Sequence, residues 1–205
     1  MSDLFAFLIT FALGLGVTLL AMPFCDRLGR RWGLVARAGG RRTTDADFRG
    51  VSKLGGFALA LGFVAAAGAA QLLPVERFDP NEITRFTGLI VGTILMAIVG
   101  LLDDRYELGA LPQFAAQSAA AVIAIAFQIF IEYFNNPLTG QQTDPFPFIV
   151  TAALSYFWLV MMMNTVNFLD GLDGLAGGVA GVAAGPLFLH NGLRVGRNRR
   201  RPPHP

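Results

Sequence analysis

Asparagine and aspartate side chains recur at every third residue where a long apolar run of the chain ends. The stretch reads NTVNFLDGLDGLAGG and begins at Asn164. Its polar members are Asn164, Asn167, Asp170 and Asp173. In a helix of about 3.6 residues per turn this spacing drifts by about 60° per step, so the side chains cannot all share one face of an unbroken helix. Gly171 and Gly174 allow the backbone to turn or unwind there, which would let the polar groups converge.

A second acidic cluster lies earlier in the chain, in the stretch GLLDDRYELGALPQFAAQ, where Asp103 and Asp104 are adjacent. Taken alone, this pair could simply end a helix at a membrane surface. Asp170 and Asp173 are harder to explain in that way, because they follow an apolar run and have no Lys or Arg nearby. Carboxylates within a membrane cost about 2.5–3.5 kcal/mol on insertion scales, and they usually face a cavity and hold something positive.

Carboxylate and amide oxygens are hard ligands that suit Mg²⁺, which takes one or two carboxylates and completes its shell with water and substrate phosphates. A metal held by carboxylates at a membrane face can assist phosphoryl transfer to or from a lipid phosphate, because the cation neutralises charge on the transferring group. The clusters therefore predict metal-assisted phosphoryl transfer.

Long uncharged runs must position these clusters. The chain has 205 residues, 54% hydrophobic and 15% charged, whereas a soluble domain carries about 25% charged residues. Five runs are free of charge and long enough for a helix to cross the hydrocarbon core. They are Leu4–Phe24, Leu54–Leu73, Phe86–Leu102, Leu108–Ile131 and Pro145–Leu169. A sixth, Gly174–Leu189, is slightly short. The sequence predicts an all-α, polytopic helical membrane protein with about five to six transmembrane helices, a membrane-embedded domain over residues 1–189 and a basic tail over residues 190–205.

The basic residues are concentrated in the first loop. The segment Cys25–Lys53 carries eight basic residues against three acidic ones, whereas Glu132–Asp144 has no Lys or Arg. By the positive-inside rule the first loop is cytoplasmic and the N-terminus lies outside. Alternation of the helices then places both acidic clusters on the cytoplasmic side.

Other features exclude several kinds of chemistry. The net charge of +2 is too small to suggest nucleic acid as a partner, and the single cysteine, Cys25, cannot form an internal disulfide. Cys25 is expected to pack as a small apolar residue. His190 and His204 lie in the basic tail and are given no catalytic role. No P-loop or dinucleotide-binding motif is present.

The stretches GLLDDR and NTVNFLDGLDGLAGG resemble the signature motifs of the polyprenyl-phosphate N-acetylhexosamine-1-phosphate transferases, and VSKLGGFAL resembles the double-glycine start of that family's second helix. The family includes undecaprenyl-phosphate GlcNAc-1-phosphate transferase and phospho-MurNAc-pentapeptide transferase. The resemblance implies transfer of a sugar phosphate, with N-acetylglucosamine-1-phosphate favoured, from a UDP-sugar to a polyprenyl phosphate. The reaction would release UMP at the cytoplasmic face of the inner membrane, need Mg²⁺ (Mn²⁺ is possible) and initiate cell-envelope polysaccharide synthesis.

Residue roles follow from the resemblance at the matching positions. Asp103 and Asp104 would be the catalytic pair near the lipid phosphate, and Asp170 with Asp104 would hold the metal. Asn164, Asn167 and Asp173 would bind the nucleotide sugar. The implied partners are the UDP-sugar, the polyprenyl phosphate and the membrane, and a homodimer is possible.

The chain departs from the family pattern at several positions. Gln113 stands where a basic residue is usual, Ser52 stands where proline is usual, and VARAGGRRTT lacks the Asp, Pro and His of the family's first loop. Family members also continue for several more helices. We therefore expect this chain to be the N-terminal part of the family fold and inactive by itself, with residues 190–205 disordered or foreign to the family.

Two other interpretations stay open at the level of sequence. A membrane prenyltransferase carries an NDxxDxxxD box, which Asn167 and Asp170 loosely echo, although Asp173 follows at three residues rather than four. A non-catalytic membrane protein could use the aspartates as cation ligands. Release of UMP from a UDP-sugar would separate the transferase from both.

The loop charges generate a topological prediction. A reporter fused near Arg42 should read cytoplasmic and one fused near Thr139 should read external, because basic loops stay inside. Paired fusions of alkaline phosphatase and a fluorescent protein at both sites would measure this. The reverse pattern would put both acidic clusters on the side without UDP-sugars and would contradict the transferase interpretation.

Overall fold

The computed structural model describes residues 3–35, 52–75, 77, 79–134, 141–169 and 175–198. Within these residues the chain forms α-helices, and an isolated antiparallel bridge joins Val35 to Ser52. The helices are α1 (Asp3–Trp32), α2 (Gly55–Leu72), α3 (Glu82–Tyr106), α4 (Ala110–Ala126), α5 (Phe148–Leu169) and α6 (Leu175–Asn198). The predicted all-α class is confirmed.

Four of the described helices are long and apolar enough to cross a membrane. They are Phe5–Trp32 within α1, together with the whole of α2, α3 and α5. The apolar part of α6, Leu175–Leu187, and the 17-residue α4 are shorter. Large apolar side chains point outwards, and Leu20 and Ile149 are 79% and 78% exposed. Such a surface suits lipid, and the chain is a multi-pass membrane protein.

Helix α1 continues well past the uncharged run that predicts it. The run ends at Phe24, but the helix passes through Pro23 and the charged turns to Trp32, where Arg30 pairs with Asp26 at 2.9 Å. It ends at Gly33, whose φ is +68°. The N–H of Leu34 reaches the Gly29 carbonyl at 2.8 Å, as in a Schellman motif. Turn geometry, and not the first charge, therefore ends this helix.

Val35, just after α1, forms a bridge with Ser52, just before α2. Leu34, Leu54 and Ala58 pack around the buried Cys25, as expected for an apolar cysteine. The Ser52 hydroxyl donates to the Cys25 carbonyl at 3.4 Å and accepts the N–H of Leu54 at 3.2 Å. Ser52 thus forms side-chain hydrogen bonds that a proline at this position could not make.

Helices α1 and α2 approach closely because glycine faces glycine. The Thr18 hydroxyl donates to the Gly14 carbonyl at 2.8 Å. A Cβ added at Gly62 would overlap the Thr18 hydroxyl and lie 2.7 Å from the Gly14 carbonyl oxygen. Small residues at such crossings allow helix backbones to pack without lipid between them.

Helix α4 is shorter than the uncharged run Leu108–Ile131 that predicts it. The helix ends at Ala126, and Gln128 takes a left-handed φ of 62°. The N–H groups of Gln128 and Ile129 bond to carbonyls in the last turn, again in the Schellman pattern. Phe127 lies directly over Gly88 of α3. The apolar run therefore divides into a helix and an irregular segment packed against its neighbour.

Successive helices from α1 to α5 pack against one another, and α6 touches α1 and α5. The carboxyl ends of α1 and α3 lie together, where the Arg105 guanidinium donates a hydrogen bond to the Trp32 carbonyl at 3.2 Å. We call the end of the bundle that contains Trp32, Tyr106 and Ala110 the motif end. At the opposite end, Arg77 contacts Glu82 and donates to the Gln71 carbonyl at 2.8 Å, joining α2 to α3.

The α1–α2 crossing predicts a position-specific loss of stability. Gly62→Val should lower the thermal unfolding midpoint in detergent, because overpacking a close contact costs about 1–3 kcal/mol. Gly68→Val is the matched control, since a Cβ at Gly68 on the same helix meets nothing within 4 Å. Circular dichroism of the two purified variants would measure the difference. Equal midpoints would contradict the close crossing.

Candidate active site

The first acidic motif lies on the last turn of α3, at a sharp corner before α4. Glu107 takes a left-handed φ of 50° and donates its N–H to the Asp103 carbonyl at 2.8 Å, which ends the helix. The corner spans residues 107–109, and α4 begins at Ala110 after the extended Gly109. Asp103 and Asp104 are therefore held at the motif end of the bundle.

Asp103 and Asp104 point in different directions, as neighbours on a helix must, since successive residues are about 100° apart. One carboxylate oxygen of Asp103, Oδ1, accepts a hydrogen bond from the Gln113 amide at 2.9 Å. Asp104 instead lines a cavity between the helices. The structure therefore divides the pair into one residue bound to α4 and one residue facing the cavity.

The cavity has a volume of about 540 Å³ and is walled by α2, α3, α4 and α5. Small residues of α3 and α4 leave the space open, among them Gly92, Gly100 and Ala121. Leu159 and Met163 of α5 close one side. Among the described lining residues Asp104 is the single charged one. The cavity is thus an apolar chamber with one carboxylate at the motif end.

The second motif begins on the last turns of α5. The Asn164 amide donates to the Gln117 side-chain oxygen at 2.8 Å and to the Val160 carbonyl at 2.8 Å. Gln117, on α4, is only 7% exposed. Asn167 lies further along α5 and is exposed. Asp170 and Asp173 lie outside the described residues, so their predicted roles stay predictions.

Asp104 is the predicted metal ligand that lies among the described residues. Within the described part of the chain no three acidic, histidine or cysteine side chains form a group that could hold an ion. Asp104 supplies hard oxygen donors beside the cavity. Mg²⁺ needs only one or two carboxylates and takes its other ligands from water and phosphate. The donor type therefore fits this ion, with Asp170 as the second predicted ligand.

Two glutamines of α4 contact the motifs, and the sequence-based prediction had no role for them. The family resemblance marks Gln113 only as a departure from a basic residue, and it assigns no role to Gln117. The sequence does offer a signal for them, since they are two side-chain amides spaced four apart in a helix whose other polar side chain is Ser118. Such spacing puts two side chains on one face of a helix.

Residues 86–198 match the family model described as glycosyl transferase family 4. This stretch contains both acidic motifs and covers more than half of the chain. The protein therefore belongs to glycosyl transferase family 4, as the motif resemblance implied.

The chain is also similar to three curated proteins. It is 28% identical over 167 residues to a "probable undecaprenyl-phosphate N-acetylglucosaminyl 1-phosphate transferase" of Bacillus subtilis, covering 80% of this chain and 42% of the relative. It is 30% identical over 155 residues to the decaprenyl-phosphate N-acetylglucosaminephosphotransferase of Mycolicibacterium smegmatis, covering 76% and 37%. The protein of that name from Mycobacterium tuberculosis is 33% identical over 156 residues, covering 76% and 38%.

The chain spans about two fifths of the length of these relatives. No solved structure gives a significant match.

The corner beside Asp103 predicts a gain in stability. Glu107→Gly should raise the thermal unfolding midpoint relative to Glu107→Ala, because a left-handed conformation costs a residue with a Cβ about 1–2 kcal/mol that glycine avoids. Both variants remove the same carboxylate, so the difference between their thermal unfolding midpoints in detergent reports the backbone conformation alone. A glycine variant no more stable than the alanine variant would contradict the left-handed end of α3.

Proposed function

We propose that the protein transfers N-acetylglucosamine-1-phosphate from UDP-N-acetylglucosamine to a polyprenyl phosphate. An oxygen of the lipid phosphate forms a bond to the sugar-bearing phosphorus of the nucleotide, and the bond from that phosphorus to the UMP oxygen breaks. The products are UMP and a polyprenyl diphosphate that carries the sugar. The choice of sugar follows the names of the relatives, all of which specify N-acetylglucosamine.

The observation that carries the proposal is the position of Asp104. The only charged residue of the described cavity lining lies where the apolar chamber meets the motif end. A polyprenyl phosphate has a matching polarity, because a long hydrocarbon chain ends in one anionic group. Burial of that chain against apolar walls is favourable at about 25 cal/mol per Å² of apolar surface.

An anionic phosphate beside a carboxylate requires a cation between them. Mg²⁺ held by Asp104 and Asp170 would neutralise charge on the transferring phosphoryl group. Asp103 and Asp104 are the carboxylates assigned to the lipid phosphate, and a carboxylate in that position can accept its proton. Asn164, Asn167 and Asp173 are assigned to the nucleotide sugar.

The contacts that both motifs make with helix α4 support a shared site. Asp103 and Asn164 are 61 residues apart in the chain, yet both contact the first two turns of α4. Loop charges favour the cytoplasmic side for this end of the bundle, which is the side where UDP-sugars are available. The proposed role is the first membrane-bound step in the synthesis of a cell-envelope polysaccharide.

Lipid binding is the sharpest test, because it does not require turnover by a chain that spans about two fifths of its relatives' length. The purified chain should be labelled by a photoreactive polyprenyl phosphate in the presence of Mg²⁺. Gly92→Leu should reduce labelling about tenfold, which corresponds to about 1.4 kcal/mol, because the added side chain fills the cavity. Asp104→Asn should remove the dependence on Mg²⁺.

Gly68→Leu is the matched control for the cavity variant. Gly68 also has open space around its Cβ position but does not line the cavity, so labelling should persist. Equal labelling of all three variants and the parent chain, with or without Mg²⁺, would overturn the proposed lipid site.

A further inference from the structure

Helix α4 carries none of the residues assigned to catalysis or binding, yet it contacts both motifs. Gln113 contacts Asp103 at the end of α3, and Gln117 contacts Asn164 on α5. The two glutamines are four positions apart, so they lie on the same side of α4, about 6 Å apart along its axis. We propose that these two glutamines are positioning residues, with Gln117 orienting Asn164 so that its side-chain oxygen faces the ligand.

The direction of each hydrogen bond follows from its partners. Asn164 has the Val160 carbonyl 2.8 Å from its amide nitrogen, and a carbonyl can only accept. The nitrogen of Asn164 must therefore point there, and its second hydrogen reaches Gln117. Gln117 then has to present its oxygen to Asn164. No alternative assignment of nitrogen and oxygen satisfies this network.

This arrangement determines what Asn164 can offer to a ligand. An amide nitrogen carries two hydrogens, and Val160 and Gln117 take both. What remains is the side-chain oxygen, Oδ1, which is an acceptor only. Asn164 is thus prepared to accept from a hydroxyl, an N–H group or a metal-bound water. These donors are the ones that a nucleotide sugar and a hydrated cation present.

Gln113 is constrained in the same way. Its amide nitrogen donates to the Asp103 carboxylate at 2.9 Å and to the Leu108 carbonyl at 3.3 Å, and both partners are acceptors. Gln113 therefore holds the Asp103 side chain with a neutral donor and adds no positive charge to the site. The two glutamines connect the first motif, through α4, to the second.

Burial makes the Gln117 contact consequential. At 7% exposure the Gln117 amide is largely removed from solvent. A buried polar group that loses its partner is destabilised by the full cost of its desolvation. Removing the Gln117 amide should therefore free Asn164 to rotate and should disturb its presentation of Oδ1.

The functional part of this inference rests on the proposed function, and an amide exchange tests it. Gln117→Asn and Asn164→Gln each alter the combined length of the pair, and the double variant Gln117→Asn/Asn164→Gln restores it. Each single variant should weaken binding of UDP-N-acetylglucosamine in Mg²⁺ about tenfold, or about 1.4 kcal/mol. The double variant should recover most of that loss. Retention of radiolabelled nucleotide sugar by the purified chain measures this.

A neighbouring contact provides the matched control. Ser118 and Tyr156 also join α4 to α5, through a hydroxyl–hydroxyl hydrogen bond of 2.8 Å that involves no motif residue. Ser118→Ala should lower the thermal unfolding midpoint but leave nucleotide-sugar affinity unchanged. Gln117→Leu, which fills the space without an amide, should lose affinity while the chain stays folded.

Two results would overturn the proposal. One is unchanged affinity in Gln117→Leu, and the other is a double variant that binds no better than the single ones. If the parent chain binds neither nucleotide sugar nor lipid, the proposed function fails. The thermal unfolding midpoints of the variants then show whether Gln117 and Asn164 are paired. In that case, recovery of the thermal unfolding midpoint in the double variant would show that Gln117 and Asn164 form only a contact between helices. Their positioning role would be overturned.

Discussion

Because these helices lie in apolar surroundings, every buried polar group has to find its hydrogen-bond partner within the protein. Lipid supplies no hydrogen bonds, so an unsatisfied amide or hydroxyl there costs several kcal/mol. The structure meets this constraint in two ways. Threonines such as Thr18 and Thr165 donate to the carbonyl four residues earlier in their own helix. The buried Ser155 instead accepts the Ile131 N–H at 2.7 Å and so anchors the irregular segment after α4.

The same constraint connects the candidate site to the scaffold. Asn164 cannot lie half-buried near the end of α5 with an unpaired amide, and Gln117 supplies the partner from α4. Gln113 does the same for Asp103. Helix packing and site geometry are therefore not separate features of this protein. The polar groups that a membrane helix must satisfy are the groups that orient the motif residues.

Backbone turns determine where these contacts can form. Left-handed residues end α1 at Gly33, α3 before Glu107 and α4 before Gln128. Two of these residues carry a Cβ and adopt a conformation that is unfavourable for them, so the surrounding hydrogen bonds must compensate. The corner at Glu107 has the clearest consequence for the site. It reverses the chain within three residues and brings Gln113 back to the Asp103 side chain.

Glycine has opposite uses in different parts of the bundle. At Gly62 the missing side chain lets α1 and α2 touch, whereas at Gly92 and Gly100 it leaves the cavity open. The sequence alone does not separate these uses, because all three glycines lie in uncharged, largely apolar runs. Which face meets a helix and which meets a cavity depends on how the helices are arranged in space.

Hydropathy and charge were enough to predict an all-helical membrane protein and a helix end near Asp103 and Asp104, and the resemblance of two motifs was enough to predict the family. These properties are local, because each depends on the residues of one segment and on the thickness of a bilayer. The uncharged runs did not mark the ends of α1 and α4, because the turns at Gly33 and Gln128 are stabilised by specific hydrogen bonds that hydropathy does not reflect. Only the tertiary structure could assign Asp104 to the cavity and Asp103 to α4. It alone could pair Gln117 with Asn164, because a hydrogen-bond partner 47 residues away is selected by helix packing.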